Sequence, residues 1–210
     1  METSYADRHI KSLSLAKTCA ELGARIKTIM YITGLGHHEL VRLFFVDEHS
    51  APRGRPPASP EWFHQANLIE KVEASIFCSI FERMSALGYG PAEALVGAYK
   101  TYREQCSHPP RISFDRAFDL VCHSKGIWAQ QAQHFSLNVC RVCHSQYLAA
   151  FGESTSCEHG CPFCKLLKRY PSDKRVQTTF SPHSTPQISP TDFGLLAAFI
   201  ADDAAGAAKS

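Results

Sequence analysis

Cys140-Arg141-Val142-Cys143 is followed, after seventeen residues, by Cys161-Pro162-Phe163-Cys164. Two C-x-x-C pairs at this separation have the spacing of a structural zinc site, because each pair can fold over a tight turn and present two thiolates as adjacent corners of a tetrahedron. One Zn2+ per chain, held by Cys140, Cys143, Cys161 and Cys164, would keep no open position for water or substrate, so the metal would be structural. Three neighbours offer other ligand sets. Cys157 stands four residues before Cys161, and His144 and His159 flank the pairs. Three thiolates with one imidazole, or a set that uses Cys157, suit zinc chemically. Two disulfides or free buried thiols are the remaining readings, and disulfides need an oxidising compartment that nothing else in the sequence suggests.

A second kind of chemistry adjoins the first. Residues 165 to 175 carry Lys165, Lys168, Arg169, Lys174 and Arg175 against one acid, Asp173. A basic tract abutting a metal-stiffened module suits contacts to phosphate, with Arg141 between two ligands as a further candidate. A solvated surface segment is the plain alternative. Arg25 and Arg42 belong to another candidate, a helix-turn-helix-like stretch over 24–45 in which Thr33-Gly34-Leu35-Gly36 breaks the chain before a short helix from His37 to about Val46. That helix would turn Leu40, Leu43 and Phe44 inward and His37, His38, Glu39 and Arg42 outward. Two ordinary core helices would read the same way.

The elements that must carry these residues are mostly helical. Leu15, Cys19, Leu22, Ile26 and Ile29 recur at steps of four and three, which predicts one amphipathic helix over 12–32 with a heptad-like rhythm. Prolines 52, 56, 57 and 60 make 50–60 a loop, basic through Arg53 and Arg55. Ser59-Pro60-Glu61 reads as cap, first-turn proline and first-turn acid of a long helix over 60–87, with Trp62, Ala66, Ile69, Val72, Ile76, Ile80 and Met84 in its stripe. Phe77 and Phe81 widen that stripe, which is chiefly core, while part of it could also pack on a partner subunit; packing of these faces within one monomer is the competing account. Gly88-Tyr89-Gly90 and Pro91 separate it from a helix to about Cys106. Ser113 caps another that ends near Lys125-Gly126. Phe135, Leu137 and Val139 alternate as a strand before the first cysteine pair, and Tyr147-Leu148-Ala149 can return as a second. The expected fold is therefore mainly α: a helical domain over 1–130, a four-cysteine zinc-ribbon-like module over 131–175, and a disordered tail over 176–210. In the tail, Leu195 to Ile200 could form a short docking helix.

Composition bounds the function. The 210 residues are 44% hydrophobic, enough for a sizeable core, and the net charge of +2 confines any nucleic-acid contact to local patches. No apolar run is long enough to span a membrane, and the first residues lack the layout of a signal peptide. Nine cysteines without such a signal point to the reducing cytoplasm, with most of the five scattered ones, Cys19, Cys78, Cys106, Cys122 and Cys157, as small buried hydrophobes. An enzyme is not expected. The zinc-deaminase pattern needs H-x-E and then P-C-x-x-C, whereas Pro162 follows Cys161 and the only H-x-E is His37-His38-Glu39. No Walker loop or G-x-S-x-G is present.

Taken together, Leu22-Gly23-Ala24-Arg25, Leu40-Val41-Arg42-Leu43, Ser59-Pro60-Glu61-Trp62-Phe63, Ala74-Ser75-Ile76-Phe77-Cys78, Ala98-Tyr99-Lys100-Thr101-Tyr102, Gln105-Cys106, Arg116-Ala117-Phe118 and the two cysteine pairs resemble the FlhC family. This family is the zinc-containing subunit of the flagellar master transcriptional activator of proteobacteria. The resemblance covers most of residues 15 to 170. It implies a helical body with a C-terminal zinc site on the four paired cysteines. It also implies assembly with FlhD into a hetero-oligomer that binds promoter DNA and activates flagellar genes with RNA polymerase. The gap between the pairs is about one residue longer than in that pattern, and Cys157 is additional. A zinc-ribbon protein-interaction module without direct DNA contact is the alternative function.

Overall fold

The computed structural model describes residues 4–45, 51–52, 54, 59–106, 110–151 and 160–180. Nine helices and one hairpin make up the described residues, in the order α1 Tyr5–Glu21, α2 Ile26–Thr33, α3 His37–Phe44, α4 Glu61–Gln65, α5 Leu68–Ala86, α6 Pro91–Gln105, α7 Phe114–Lys125, β1 Phe135–Val139, β2 Gln146–Ala150, α8 Pro162–Arg169 and α9 Lys174–Thr179. The predicted tail from 181 onward, including 195–200, lies outside the described residues, as do Cys157, His159, Arg53 and Arg55.

Two helices predicted as single are each broken in two. Ser4 opens α1 earlier than Ser12, through a capping box with Asp7. The helix closes at Gly23, whose φ of 81° lets Gly23 N–H donate to the Ala20 carbonyl and Ala24 N–H to the Cys19 carbonyl. The apolar rhythm continues into α2, so periodicity alone does not reveal the break. In the same way Asn67 starts α5 anew, accepting from the N–H groups of Ile69 and Glu70 while Glu70 caps back. Ser59 does receive the Glu61 N–H, at 3.2 Å, but only the short α4 follows.

Helix α5 runs through the middle of the molecule. It packs on α6, α7, α8 and both strands. Phe77 and Phe81, whose surface the sequence left open to the core or in part to a partner, are 0% and 2% exposed and lie in this chain's own core. Phe77 packs edge-on against Tyr99 and Tyr102, and Tyr99 against Phe114. Burying such rings contributes about 1.5–3 kcal/mol each. That burial accounts for the wide stripe within one chain.

Helices α1, α2 and α3 pack on one another, with Gly34 at φ 73° and the buried Leu35 forming the turn between α2 and α3. This is the helix-turn-helix-like layout. Leu40 is buried as expected, but Leu43, expected inward, is 47% exposed. His38 and Arg42 face out, while Glu39 is half-buried beside His9. The trio is tied to α7 by Asp115, whose buried carboxylate accepts from the Arg25 N–H at 3.2 Å, from Arg25 Nη1 at 2.6 Å and from the Thr28 hydroxyl.

Strands β1 and β2 pair antiparallel, Phe135 opposite Ala150 and Val139 opposite Gln146. Phe135 packs on Phe63 at 5.0 Å between ring centres, which seats the hairpin on the helical body. Asp173 accepts from the N–H groups of Arg175 and Val176 to start α9. Val176 is buried, so ordered helix runs to Thr179, past the expected end of the module at 175.

Candidate metal centre

The hairpin and α8 bring the four paired cysteines together. Cys140 closes β1, and its N–H donates to the Ser145 carbonyl at 3.0 Å. His144 turns the chain with φ 59°, its N–H donating to the Cys140 carbonyl at 2.9 Å. His144 is exposed and serves the turn, not the cluster. The second pair is built differently from the first. Cys161 caps α8, Pro162 takes the first helical position, and Cys164 follows three residues on, so the two thiols share one side of the first helical turn. The site thus joins one hairpin knuckle to one helix N-terminus instead of two hairpins. The positive end of the α8 dipole acts toward thiolate there, but burial and the neighbouring thiols outweigh it and push Cys161 and Cys164 up.

The four sulfurs lie within 4.8 Å of one another. Cys140 Sγ is 3.7 Å from Cys164 Sγ, and Cys143 Sγ is 3.7 Å from Cys161 Sγ. A tetrahedron with zinc–sulfur bonds of about 2.3 Å has edges of about 3.8 Å, so these residues fit such an ion. All four are free cysteines, and the disulfide reading finds no bonded pair among them.

The thiols do not ionise alike. Backbone N–H groups of Cys143 and Val142 hold Cys140 below its ordinary value. Burial opposes ionisation of Cys143, yet hydrogen bonds from Ser145 and the neighbouring thiols bring it to about 6. Burial pushes Cys161 up, and sharing a proton with Cys143 pushes Cys164 up to about 12. Four thiols this close cannot all carry charge without a cation among them, so as a fully ionised set the cluster could hold a metal ion. By contrast Cys19, Cys106 and Cys122 are isolated in the core, where burial pushes each to about 12. They are the inert hydrophobes the sequence suggested.

The cations named from sequence are spread over several elements. Arg141 is exposed on the knuckle turn; Lys165, Lys168 and Arg169 are exposed on α8, and Lys174 and Arg175 at the start of α9. Arg42 is exposed on α3. Arg25 instead pairs with Asp115 and braces α2 against α7. Sequence reasoning passed over Arg111, which stands near Arg169, Lys174 and Arg175 in space. Its position before the Ser113 cap gave no signal, because the proximity depends on how α9 folds back.

A mainly helical fold with a single four-cysteine cluster among the described residues defines a helical protein with a site that could hold a metal ion. All four corners are protein sulfur, so an ion there would hold structure. The profile of the flagellar transcriptional activator family, FlhC, matches residues 2–177. The chain is 31% identical to the flagellar transcriptional regulator FlhC of Paraburkholderia atlantica over 180 residues, 80% of this chain and 76% of that one. It is 27% identical to the protein of the same name from Proteus mirabilis over 168 residues, 77% of this chain and 82% of that one. With the Xenorhabdus nematophila regulator it shares 24% over 196 residues, 90% and 92% of the two chains. This chain belongs to the FlhC family of flagellar transcriptional activators. That family is one of regulators, not an enzyme class. No helix among the described residues is long and apolar enough to cross a membrane.

Proposed function

We propose that this chain is the zinc-bearing subunit of a DNA-binding activator of flagellar genes, which works in a hetero-oligomer with an FlhD-like partner and recruits RNA polymerase. One observation carries the DNA contact: Cys164 and the exposed cations Lys165, Lys168 and Arg169 stand on the same helix. Metal at the cysteine cluster would fix that helix, and with it the array of charge offered to phosphates. None of these three cations pairs with a carboxylate among the described residues. Lysine-rich contacts of this kind position a duplex more than they read bases. The exposed Arg42 of α3 and Arg141 of the knuckle are secondary candidates, and Arg25 serves mainly as a brace.

The test is DNA binding by the metal-loaded complex as purified from its host, followed by fluorescence anisotropy across a salt series. Replacing Lys165, Lys168 and Arg169 together with Ala is expected to weaken binding to promoter and random duplex alike and to flatten the salt dependence. Cys161→Ser is expected to lose the metal. Retention of zinc by Cys161→Ser with loss by Cys157→Ser would reassign that ligand. Unchanged affinity and slope in the triple variant move the DNA surface to α3 or to the partner.

A second reading has its own support. Val139, Val142 and Leu167 are 59%, 66% and 64% exposed on the elements that bear the cysteines, a composition suited to a protein partner. A zinc-dependent protein complex with no salt-dependent DNA affinity favours that reading.

A further inference from the structure

The basic tract divides in two. Lys165 and Lys168 project from α8, whereas Arg169, Lys174 and Arg175 line a cavity of about 520 Å³ between the end of α8, the start of α9 and the N-terminus of α5. Arg111, from the segment before α7, lines the same cavity. It is held there by Glu73, 3.5 Å from its Nε, and by Thr179, whose Oγ1 accepts from Nη2 at 3.1 Å, while 40% of its side chain stays exposed. The single carboxylate of the lining, Asp173, is occupied in capping α9.

Arg169, Lys174 and Arg175 pair with no carboxylate among the described residues, although Lys11, Arg25, Arg116 and Lys125 each have one. Gathering unpaired like charges around a cavity repels and destabilises the folded chain. The positive end of the 19-residue helix α5 adds to the same potential. An anion drawn into the cavity would relieve that repulsion, and a phosphate oxygen suits the guanidinium forks of three arginines.

We propose that this cavity seats one phosphate of the DNA backbone, on which Arg111 of the helical body and Arg169, Lys174 and Arg175 of the α8–α9 corner converge. The inference rests on the DNA-binding reading above and deepens it. One phosphate held jointly by the body and by the metal-bearing corner would fix the register of the duplex on the protein. Convergence also makes a quantitative demand that separate surface contacts do not. Cations that share one phosphate release one set of counterions between them, so their contributions to the salt slope do not add.

The complex as purified from its host, with metal bound, is titrated with fluorescein-labelled promoter and random duplexes over a salt series, and separately with inorganic phosphate. Arg169→Gln, Lys174→Gln and Arg175→Gln are compared singly and together, with metal content and melting temperature as the check on folding. Each single change is expected to weaken both duplexes roughly tenfold with little change in slope. The triple variant is expected to lower the slope by about 1. Should the triple variant lose its metal, Arg169→Lys with Arg175→Lys takes its place, expected to keep the slope while losing affinity as the forks are lost. A slope loss of about 2 or more in the triple variant, or of about 1 in each single one, indicates separate phosphates and overturns the shared seat. Full affinity in the triple variant, or in the lysine pair, overturns the cavity as a DNA contact while DNA binding itself stands. Phosphate binding that the triple variant abolishes with no change toward DNA assigns the cavity to a free anion and also overturns it. Absence of DNA binding by the unaltered complex overturns both this inference and the reading beneath it.

Discussion

Glu73 shows how far a single residue can depart from what its type suggests. A glutamate on a helix ordinarily faces water, yet Glu73 is 0% exposed, with the Tyr102 hydroxyl donating to Oε2 and the Arg111 N–H donating to the same oxygen at 3.2 Å. Burial pushes its carboxyl above the ordinary 4.5, and the hydrogen bonds from Tyr102 and Arg111 only partly oppose that. The sign of the linkage follows. Below 4.5 the acid is protonated in both folded and unfolded chains and its contribution to stability is fully present. As pH rises, the unfolded chain loses the proton first, and the contribution is lost through the higher folded value. Glu73→Gln keeps an acceptor for Tyr102 and Arg111 but removes the ionisation. Urea midpoints measured from pH 4.5 upward are therefore expected to fall less steeply for Glu73→Gln than for the unaltered chain. Equal slopes would mean that the buried carboxyl ionises without cost. No pattern in the sequence marks Glu73, because its partners come from 29 and 38 residues away.

At the scale of elements, legibility depended on whether an ending had its own chemistry. Pro91, Ser113 and Gly126 bound α6 and α7 as expected, since each acts through its own backbone or cap. The breaks at Gly23 and Asn67 were hidden because the apolar rhythm runs through both. Helix α8 was hidden by its cysteines: Cys161-Pro162 reads as a metal knuckle, although proline after a capping position is also a helix start. The gathering of the four paired cysteines was legible, because the spacing that suits tetrahedral coordination survives on either a turn or a helix. Helix α5 adds a contact that no motif announces. Ser75 Oγ donates to the Lys71 carbonyl at 2.7 Å and accepts from the Leu148 N–H at 3.1 Å, so a helix side chain completes the bonding of a strand. Ser75→Val leaves that buried N–H without an acceptor and is expected to cost about 1–3 kcal/mol, read from chemical denaturation. Ser75→Thr keeps the hydroxyl and is expected to lose less. Equal losses would assign the effect to packing alone.

For the molecule as a whole, the metal should stabilise much more than the module that holds it. Spacing alone suggests that zinc is needed for residues 131–175, a segment with little core of its own. In the structure the sides of β2 alternate: Leu148 and Ala150 join the main helical core, while Tyr147 and Ala149 join the cysteine cluster. Both faces are buried, which is why the strand lacks the polar–apolar alternation of a half-exposed one. A metal bound there would therefore act on the core through the same strand, reinforced by packing of α8 on α5 and by the Ser79 hydroxyl on Gln146. Structural zinc contributes about 10–16 kcal/mol in small zinc peptides. In a chain of this length each kcal/mol moves the melting temperature by about 2–4 °C. Even a third of that free energy shared with the body would lower the midpoint by roughly 10 °C on metal removal. Chelation, or Cys143→Ser, is accordingly expected to shift a single cooperative transition, with helix and near-ultraviolet signals moving together. Two separated transitions, the helical one unmoved, would show instead that the module melts as an independent domain and that the boundary near residue 130 is a thermodynamic one.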